Sequence, residues 1–501
     1  MTHRIHLSII QPPGYVHSLG FLDQARYARH QFRQLGAEVT IGKNRLREDA
    51  INIIFGAHLG FSAQLKDRYT CVFFNLEQLG EGGAHVSKAY MDLLSSSAVF
   101  DYDLRNLAAY GCKEGDVPIV SFQYAPYLAN TASLPMEVRP IDLLFFGSVN
   151  ERRQAIFQRI EACGWSVSRF DHPLYGDERD QFIRQSKAVF NCHFYESSRF
   201  EQARAFHTLS LGTPVISERT ERTTPPPAFE DAVSWVSDDD LENFFRHEFM
   251  TPQWLNRVNL QLQSFATNDA SAAWQIAHAY CQAIRNMDGE EKANKIWRPH
   301  QMNLGSGQDY KSNWLNVDSN EKTQPDLVLD LLKDVYLPIQ TRTLGGGYLI
   351  LEETTLSAIH VNNALDNYSN LSCLMNKLIL LLKLGGMLEL KVDYSINTTK
   401  EKTIKLFDNY THQFWNSDWI DSRFQIVDSY FTNNTMGQCE ESNASFLCLR
   451  MKKIETTPWE KTISRSMIMD FGGINSDEED NAEELSKNQS NAIENITARI
   501  L

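Results

Sequence analysis

No stretch of 18 uninterrupted apolar residues occurs in the sequence, so nothing in it reads as a membrane-crossing helix. The amino terminus, Met1-Thr-His-Arg-Ile-His-Leu-Ser, lacks the long apolar segment of a secretory signal, and a cytoplasmic protein is expected. A basic excess is missing too. The 48 Lys and Arg against 63 Asp and Glu leave a formal charge of -15, which argues against a general nucleic-acid binder, because such proteins present a basic face to phosphates. The cysteines, at positions 71, 112, 163, 192, 281, 373, 439 and 448, form no CxxC pair and no Cys/His cluster at zinc spacing. That excludes a zinc module and suits reduced, buried thiols.

What is present is an ordinary globular composition spread over 501 residues. Such a length exceeds one hydrophobic core, and domains of roughly 100–200 residues predict about three. Residues 1–128 alternate short β-like runs with helical stretches: Ile5-His-Leu-Ser-Ile-Ile, the loop Gln11-Pro-Pro-Gly-Tyr-Val-His-Ser, a helix through Leu35 closed by Gly36, then strands opening at Glu38, Ile51, Cys71, Ser97 and Pro118. Strands alternating with helices predict a parallel sheet covered on both faces. The pattern restarts at Ile141-Asp-Leu-Leu-Phe-Phe-Gly and runs through a helix from about Glu151, strands at Trp165 and Lys187, a helix around 199–211, a strand at Thr213, and helices at 241–247 and 252–286. After the polar stretch Asn286–Lys295 it restarts again at Met302-Asn-Leu-Gly-Ser-Gly. The expected organisation is α/β, with Rossmann-like domains at 1–128 and 138–286, a third at 296–453, and an acidic, disordered tail at 456–501 around Asp477-Glu-Glu-Asp.

In an open α/β sheet, ligands sit beyond the carboxyl ends of the strands, where glycine turns and helix starts present N–H groups to phosphates. Phe145-Phe-Gly147-Ser148-Val-Asn-Glu-Arg152-Arg153 puts such a turn after a strand and two arginines at the start of the next helix. A diphosphate there would meet the helix dipole and bidentate guanidinium donors. His193-Phe-Tyr-Glu-Ser-Ser-Arg-Phe-Glu201-Gln-Ala-Arg204 precedes Leu209-Ser-Leu-Gly-Thr-Pro-Val-Ile-Ser-Glu218. Glu201 and Arg204 then share a helix face, the acid for ribose hydroxyls and the arginine for phosphate; an ordinary surface pair is the competing reading. Two residues are candidate bases for the acceptor hydroxyl: His17, on the loop after the first strand, and Glu77, after the fourth. A hydrogen-bonded structural histidine is an equal alternative for His17. Asp101-Tyr-Asp103 matches a DxD metal motif superficially, but it lies at a strand-to-helix junction where Asp caps helices, and Asp238–Asp240 reads as a helix start. No metal is expected.

These segments resemble the GT-B glycosyltransferases, in particular bacterial cell-surface polysaccharide enzymes with an FE-x-x-R and GTPVISE donor segment. The resemblance covers roughly residues 1–250, including Phe74-Asn-Leu-Glu-Gln-Leu and the crossover Phe122-Gln-Tyr-Ala-Pro-Tyr. It implies two Rossmann-like domains in the GT-B arrangement, with acceptor binding in the first. A UDP- or GDP-sugar donor would lie in the second, at Gly147, Ser148, Arg152, Arg153, Glu201 and Arg204. It also implies no metal, because arginines and helix termini hold the diphosphate. Related enzymes commonly carry an E-x7-E pair before the G-x-P-V strand; counting back from Gly212, those positions hold Arg199 and His207 here.

In the third segment, Met302-Asn-Leu-Gly305-Ser-Gly307 opens a strand and glycine turn, and Trp314-Leu-Asn-Val-Asp318 a second strand ending in an acid. Asp326-Leu-Val-Leu-Asp330 reads as a third strand, and Leu381-Leu-Lys-Leu-Gly-Gly-Met-Leu-Glu-Leu-Lys-Val as a helix end, a Gly-Gly turn and a strand. Over roughly 298–395 the set resembles class I S-adenosylmethionine-dependent methyltransferases. The resemblance implies a third Rossmann-like domain with S-adenosylmethionine at Gly305, Gly307, Asp318 and Asp330. Two departures stand out. The interval from Gly305 to Asp318 is short for an intervening helix, and Ile359-His-Val-Asn-Asn-Ala-Leu-Asp has Asn-Ala where Leu-Glu-His is common.

The expected activity is transfer of a sugar from a nucleotide diphosphate donor to a hydroxyl in polysaccharide synthesis, with S-adenosylmethionine-dependent methylation as a second activity. The partner implied is a glycan or glycolipid acceptor, with peripheral membrane association compatible and no nucleic acid; the sequence is silent on oligomeric state. Two rival readings are a glycan methyltransferase whose front half only recognises the glycan, and a scaffold without catalysis.

Overall fold

The computed structural model describes residues 4–129, 134–170, 172–195, 198–289, 292, 295–333, 336–365, 368, 370–394, 422–434 and 437–459. Largely apolar runs form its central strands. β3 (Ile51–Phe55) and β4 (Cys71–Phe74) are buried at every residue, as parallel strands covered on both faces must be. With β1 (Arg4–Ile9), β2 (Glu38–Lys43) and β5 (Ala98–Phe100) they form a parallel sheet of order β2-β1-β3-β4-β5. A second parallel sheet joins β6 (Ile141–Leu144), β7 (Val167–Ser168), β8 (Ser186–Asn191), β9 (Val215–Arg219) and β10 (Ser234–Ser237) in the order β10-β9-β8-β6-β7. Numbered within its own segment, each sheet runs 2-1-3-4-5, a doubly wound order whose crevice opens between the first and third strands. The loops after β1 and after β6 therefore border the two crevices.

Both sheets belong to one of the chain's two compact units, Met1–Lys292; the other is Ala293–Leu501. One of the apolar clusters runs through both segments of the first unit, gathering Tyr27, Phe32, Phe122, Phe206 and Trp274. Trp274 comes from α9 (Ser271–Ile284), and its ring meets Phe32 at 5.2 Å while its Nε1 donates to the Ser121 carbonyl at 3.2 Å. The last helix thus ties the second segment back to α1 (Leu22–Gln34) of the first. Two expectations are corrected. The helix placed at 252–286 is two helices, α8 (Pro252–Phe265) and α9, because Asp269 accepts from the Ser271 backbone and restarts the chain there. Pro118–Phe122 is no strand; only Ile119 bridges, to Asp101.

The second unit holds an eight-stranded sheet, β14-β13-β12-β17-β18-β21-β19-β20. Its members are β12 (Gln301–Leu304), β13 (Leu315–Asp318), β14 (Leu327–Val328), β17 (Leu356–Asn362), β18 (Leu382–Asp393), β19 (Ser422–Thr432), β20 (Gln438–Cys439) and β21 (Phe446–Glu455). Apart from the short β20, this is the Rossmann order 3-2-1-4-5-6 with one reversed strand, β21, inserted between the last two. No helix intervenes between β12 and β13, as the short spacing predicts. A helix (Leu371–Leu381) packs Leu374, Met375 and Leu378 into the core. The Gly-Gly turn expected after it is instead a bulge within β18: the partner of β17 jumps from Leu382 to Met387 across Gly385 and Gly386, and Gly385 takes φ +78. The acidic tail lies, from residue 460 onward, outside the described residues. Among the described residues, no helix is long and apolar enough to cross a membrane.

Candidate functional site

Chain direction at the end of β6 decides the first cavity. Gly147 adopts φ +139, and a Cβ built on it would stand 3.1 Å from Arg204 Nη2, so glycine is what lets the guanidinium approach the turn. Arg204 comes from α5 (Gln202–Ser210), whose N-cap is Glu201. Its Nη2 pairs with Glu201 at 2.8 Å, its Nη1 donates to Asn191 Oδ1 at 2.8 Å, and it lies over the rings of Phe145 and Phe146. Gly147, Phe145, Phe146, Glu201 and Arg204, with Ser148, His17, Arg169 and Arg179, border a cavity of about 430 Å³.

The two arginines opening α3 (Glu151–Glu161) are not in that wall. Arg153 is 2% exposed; it donates to the carbonyls of Ser148 at 2.6 Å and Cys192 at 2.7 Å and lies 3.5 Å from Glu201. It staples the loop after β6 to the end of β8, behind the cavity. Burial and the neighbouring Arg204 charge lower its pKa. Arg152 is turned away by helix phase and held by the Glu218 carboxylate, and it lines a separate groove with Ala155 and Arg159. The diphosphate role expected of Arg152 therefore has no geometric support.

Sequence reasoning missed Arg179. It sits on α4 (Gly176–Arg184), borders the cavity, and is buried between Asp23 at 2.7 Å and Asp180 at 2.7 Å. Its signal was Gly176-Asp-Glu-Arg, another glycine opening a helix, eight positions after β7 ends at Ser168. His207 Nε2 completes the cluster, 2.8 Å from Asp180 Oδ1. Burial raises the Asp180 pKa, but the hydrogen bond from His207 and the Arg179 charge outweigh it and the net direction is down. Arg199 makes the other clamp, pairing with Asp103 at 3.1 Å and donating to Asn106 Oδ1 at 2.6 Å. Arg199 and His207 thus both take part in polar contacts between the segments of this unit, Arg199 with Asp103 and His207 with Asp23, 3.7 Å from its Nδ1.

A second cavity, of about 300 Å³, opens against the first segment's loop at Leu76–Ala84 and is bordered by Glu77, Tyr102, Phe194, Tyr195 and Gln202. It shares Glu201, Ala203 and Arg204 with the first. The candidate bases fall on different cavities: Glu77 on the second, 3.6 Å from His58 Nε2, and His17 on the first, its Nδ1 3.1 Å from the Tyr175 hydroxyl. Asp101 is in neither. It is fully buried among Asn75, Asn106 and Tyr110, and burial pushes its pKa up to about 6. Asp103 caps the following helix through Arg105 N, and Asp238 pairs with Arg159. Among the described residues, no group of three or more metal-ligating side chains occurs.

In the second unit, Gly305, Gly307, Asp318 and Asp330 border one cavity of about 590 Å³, together with Asn362 and Tyr368. Gly305 takes φ +66, and a Cβ there would lie 2.2 Å from the Ala364 Cβ, so no side chain fits. Gly307 N donates to Asp318 Oδ2 at 2.8 Å, which presents that carboxylate at the cavity edge. Ser306 Oγ and Asn362 Oδ1 are buried without a hydrogen-bond partner among the described residues. A glycine cradle, an acid at a strand end and unpaired polar atoms fit the adenosine portion of S-adenosylmethionine.

No protein-family model matches the chain, and no curated protein does. Among solved structures it is similar to AviGT4, a glycosyltransferase involved in avilamycin A biosynthesis, at 12% identity and TM-score 0.37 over 57% of this chain and 98% of that one. It is similar to Anabaena HepE, solved with UDP and glucose, at 11% identity and TM-score 0.39 over 56% and 100%. A smaller part is similar to a 16S rRNA adenine methyltransferase of Catenulisporales acidiphilia, at 14% identity and TM-score 0.20 over 33% and 90%.

Proposed function

We propose that the first unit is a glycosyltransferase that moves a sugar from a nucleoside diphosphate donor to a hydroxyl of a glycan or glycolipid acceptor. The observation carrying this is the meeting of two cavities at Glu201, Ala203 and Arg204, one flanked by guanidinium groups and the other by aromatic rings and a carboxylate. A diphosphate belongs in the first, where Arg204, Arg179 and the Gly147 turn supply charge-assisted donors; UDP- and GDP-sugars both satisfy that chemistry. Glu201 and Asn191 already hold Arg204, so it stabilises charge on the departing nucleotide without reorganising. The donor's anomeric carbon then lies at the junction and the acceptor hydroxyl enters from the second cavity. Glu77, on that cavity, takes the acceptor proton, and His17 contacts the donor instead. The reaction fits polysaccharide synthesis in the cytoplasm.

In the same reading, the second unit holds S-adenosylmethionine, which supplies a transferable methyl group when bound. Asp318 would accept from its ribose diol, Asp330 would serve the adenine side, and Gly305 and Gly307 would let the backbone approach.

The test is thermal-shift screening of the full chain and an Arg204→Ala variant with UDP, GDP, CMP and S-adenosylmethionine. UDP or GDP raises the Tm of the parent; Arg204→Ala loses that protection and at least about 100-fold in transfer, while S-adenosylmethionine protection persists. Normal turnover in the variant overturns the donor site. Protection by S-adenosylmethionine alone makes the second unit the working part.

A further inference from the structure

Gln202 stands at the start of α5, between the two residues that organise the donor cavity, yet it lines only the second cavity. It is 3% exposed. Its Nε2 donates to the Tyr102 carbonyl at 3.2 Å, which settles which end of the amide is which. The other end, Oε1, is buried and has no hydrogen-bond partner among the described residues. A buried amide oxygen left unpaired is costly, and native structures keep few of them without a reason. An oxygen accepts only from an O–H or N–H, so what completes this group is a donor entering the cavity.

The rest of the wall says what carries that donor. Leu76, Tyr102, Phe194 and Tyr195 present apolar and aromatic surface, which suits the C–H faces of a pyranose, and about 300 Å³ has room for a sugar ring. Among the described residues its charged groups are Glu77, Glu201 and Arg204. Arg204 is paired with Glu201 at 2.8 Å, so the carboxylate of Glu77, with His58 3.6 Å away, sets the sign. An anionic acceptor would meet like charge from Glu77 and from the donor diphosphate, and among the described residues the cavity offers no cation beyond the paired Arg204 to offset either.

We infer that Gln202 is a specificity-determining residue that accepts a hydrogen bond from an acceptor hydroxyl, and that this cavity takes an uncharged pyranose in preference to a uronic acid or sugar phosphate. The inference rests on the glycosyltransferase reading above, and the two fail differently. If no nucleotide binds, that reading has failed; if a nucleotide binds and depends on Arg204 while Gln202 makes no difference, only this inference has.

The experiment is saturation-transfer NMR on the full chain, saturated with whichever of UDP and GDP protects it, using methyl glucopyranoside, galactopyranoside and mannopyranoside against methyl glucuronopyranoside. At least one neutral glycoside shows saturation transfer and the uronide shows none. In a Gln202→Leu variant, the Kd for that glycoside rises tenfold or more, while the nucleotide Kd and the Tm stay at parental values. An unchanged glycoside Kd in the variant overturns the role of Gln202. A uronide that binds the parental chain as tightly as the neutral sugars overturns the charge preference, and that comparison needs no variant, so misfolding of Gln202→Leu does not protect the proposal. Absence of any glycoside binding with nucleotide bound overturns the assignment of the cavity.

Discussion

The cavity beside Gly147 and the cavity beside Gly305 are both built where parallel strands end in a glycine turn, yet their side chains carry opposite charge. Arg169, Arg179 and Arg204 outnumber Asp23 and Glu201 around the first, and Asp318 and Asp330 outnumber Lys333 around the second. The backbone solution is the same and the ligand chemistry is not: a cationic wall suits a diphosphate, while acids suit a ribose diol and a cationic sulfonium. The glycines also differ in purpose. At Gly147 the missing Cβ makes room for a guanidinium, and at Gly305 it makes room for Ala364. Charge is also anchored differently. Arg179 is locked between two buried carboxylates, whereas Asp330 accepts from Leu332 N at 3.0 Å and has the exposed Lys333 4.0 Å away.

That contrast can be broken in three ways. The largest effect is on stability. Asp23→Ala leaves Arg179 with one carboxylate where it had two, and breaking a buried ion pair costs about 3 kcal/mol. Denaturant unfolding of the full chain should show the transition of the first unit shifted and that of the second unmoved; equal shifts would show that the units do not unfold independently. A smaller effect is on binding. Asp318→Asn should weaken S-adenosylmethionine about tenfold, the value of about one charge-assisted hydrogen bond, and leave nucleotide protection untouched. Calorimetry that finds both ligands weakened would remove the distinction between the two cavities.

A third effect, absent at neutral pH, is shared by both units. His6 in the first and His360 in the second are each held neutral, burial pushing their pKa down to about 4. Because the unfolded chain binds the proton from about pH 6.5 downward, each histidine leaves stability intact above that pH and subtracts from it as the pH falls toward 4, by up to about 1.4 kcal/mol per pH unit. His6→Asn and His360→Asn should each flatten the stability profile between pH 6.5 and 4. A profile as steep as the parent's would show that the histidine is not held neutral.

Much of the fold is legible in the sequence because its signals are local. The buried runs at Ile51 and Ile141, the helix stop at Gly36, and the glycine turns at Gly147 and Gly305 all appear where residue type and spacing place them. The strand read at Pro118 fails for a physical reason. An apolar run marks burial, but whether it pairs along its length depends on the neighbouring strand, and there only Asp101 reaches it. The site divides the same way. Glu201 and Arg204, three residues apart, meet as read, and the four residues proposed in the second unit do converge. Arg152 does not join them, because its partner Glu218 comes from a strand 66 residues away.

The two glycine turns, then, are properties of the sequence itself: a residue without a Cβ after a buried strand is specified within a few positions, and so is the Glu201–Arg204 pair one helical turn apart. What only the tertiary structure decided is which charges face each cavity. Asp23 and Arg179 lie 156 residues apart, and Gln202 meets Tyr102 across 100. Such contacts exist only after both sheets have packed on a shared core, and packing is set by the summed fit of many side chains rather than by any short pattern.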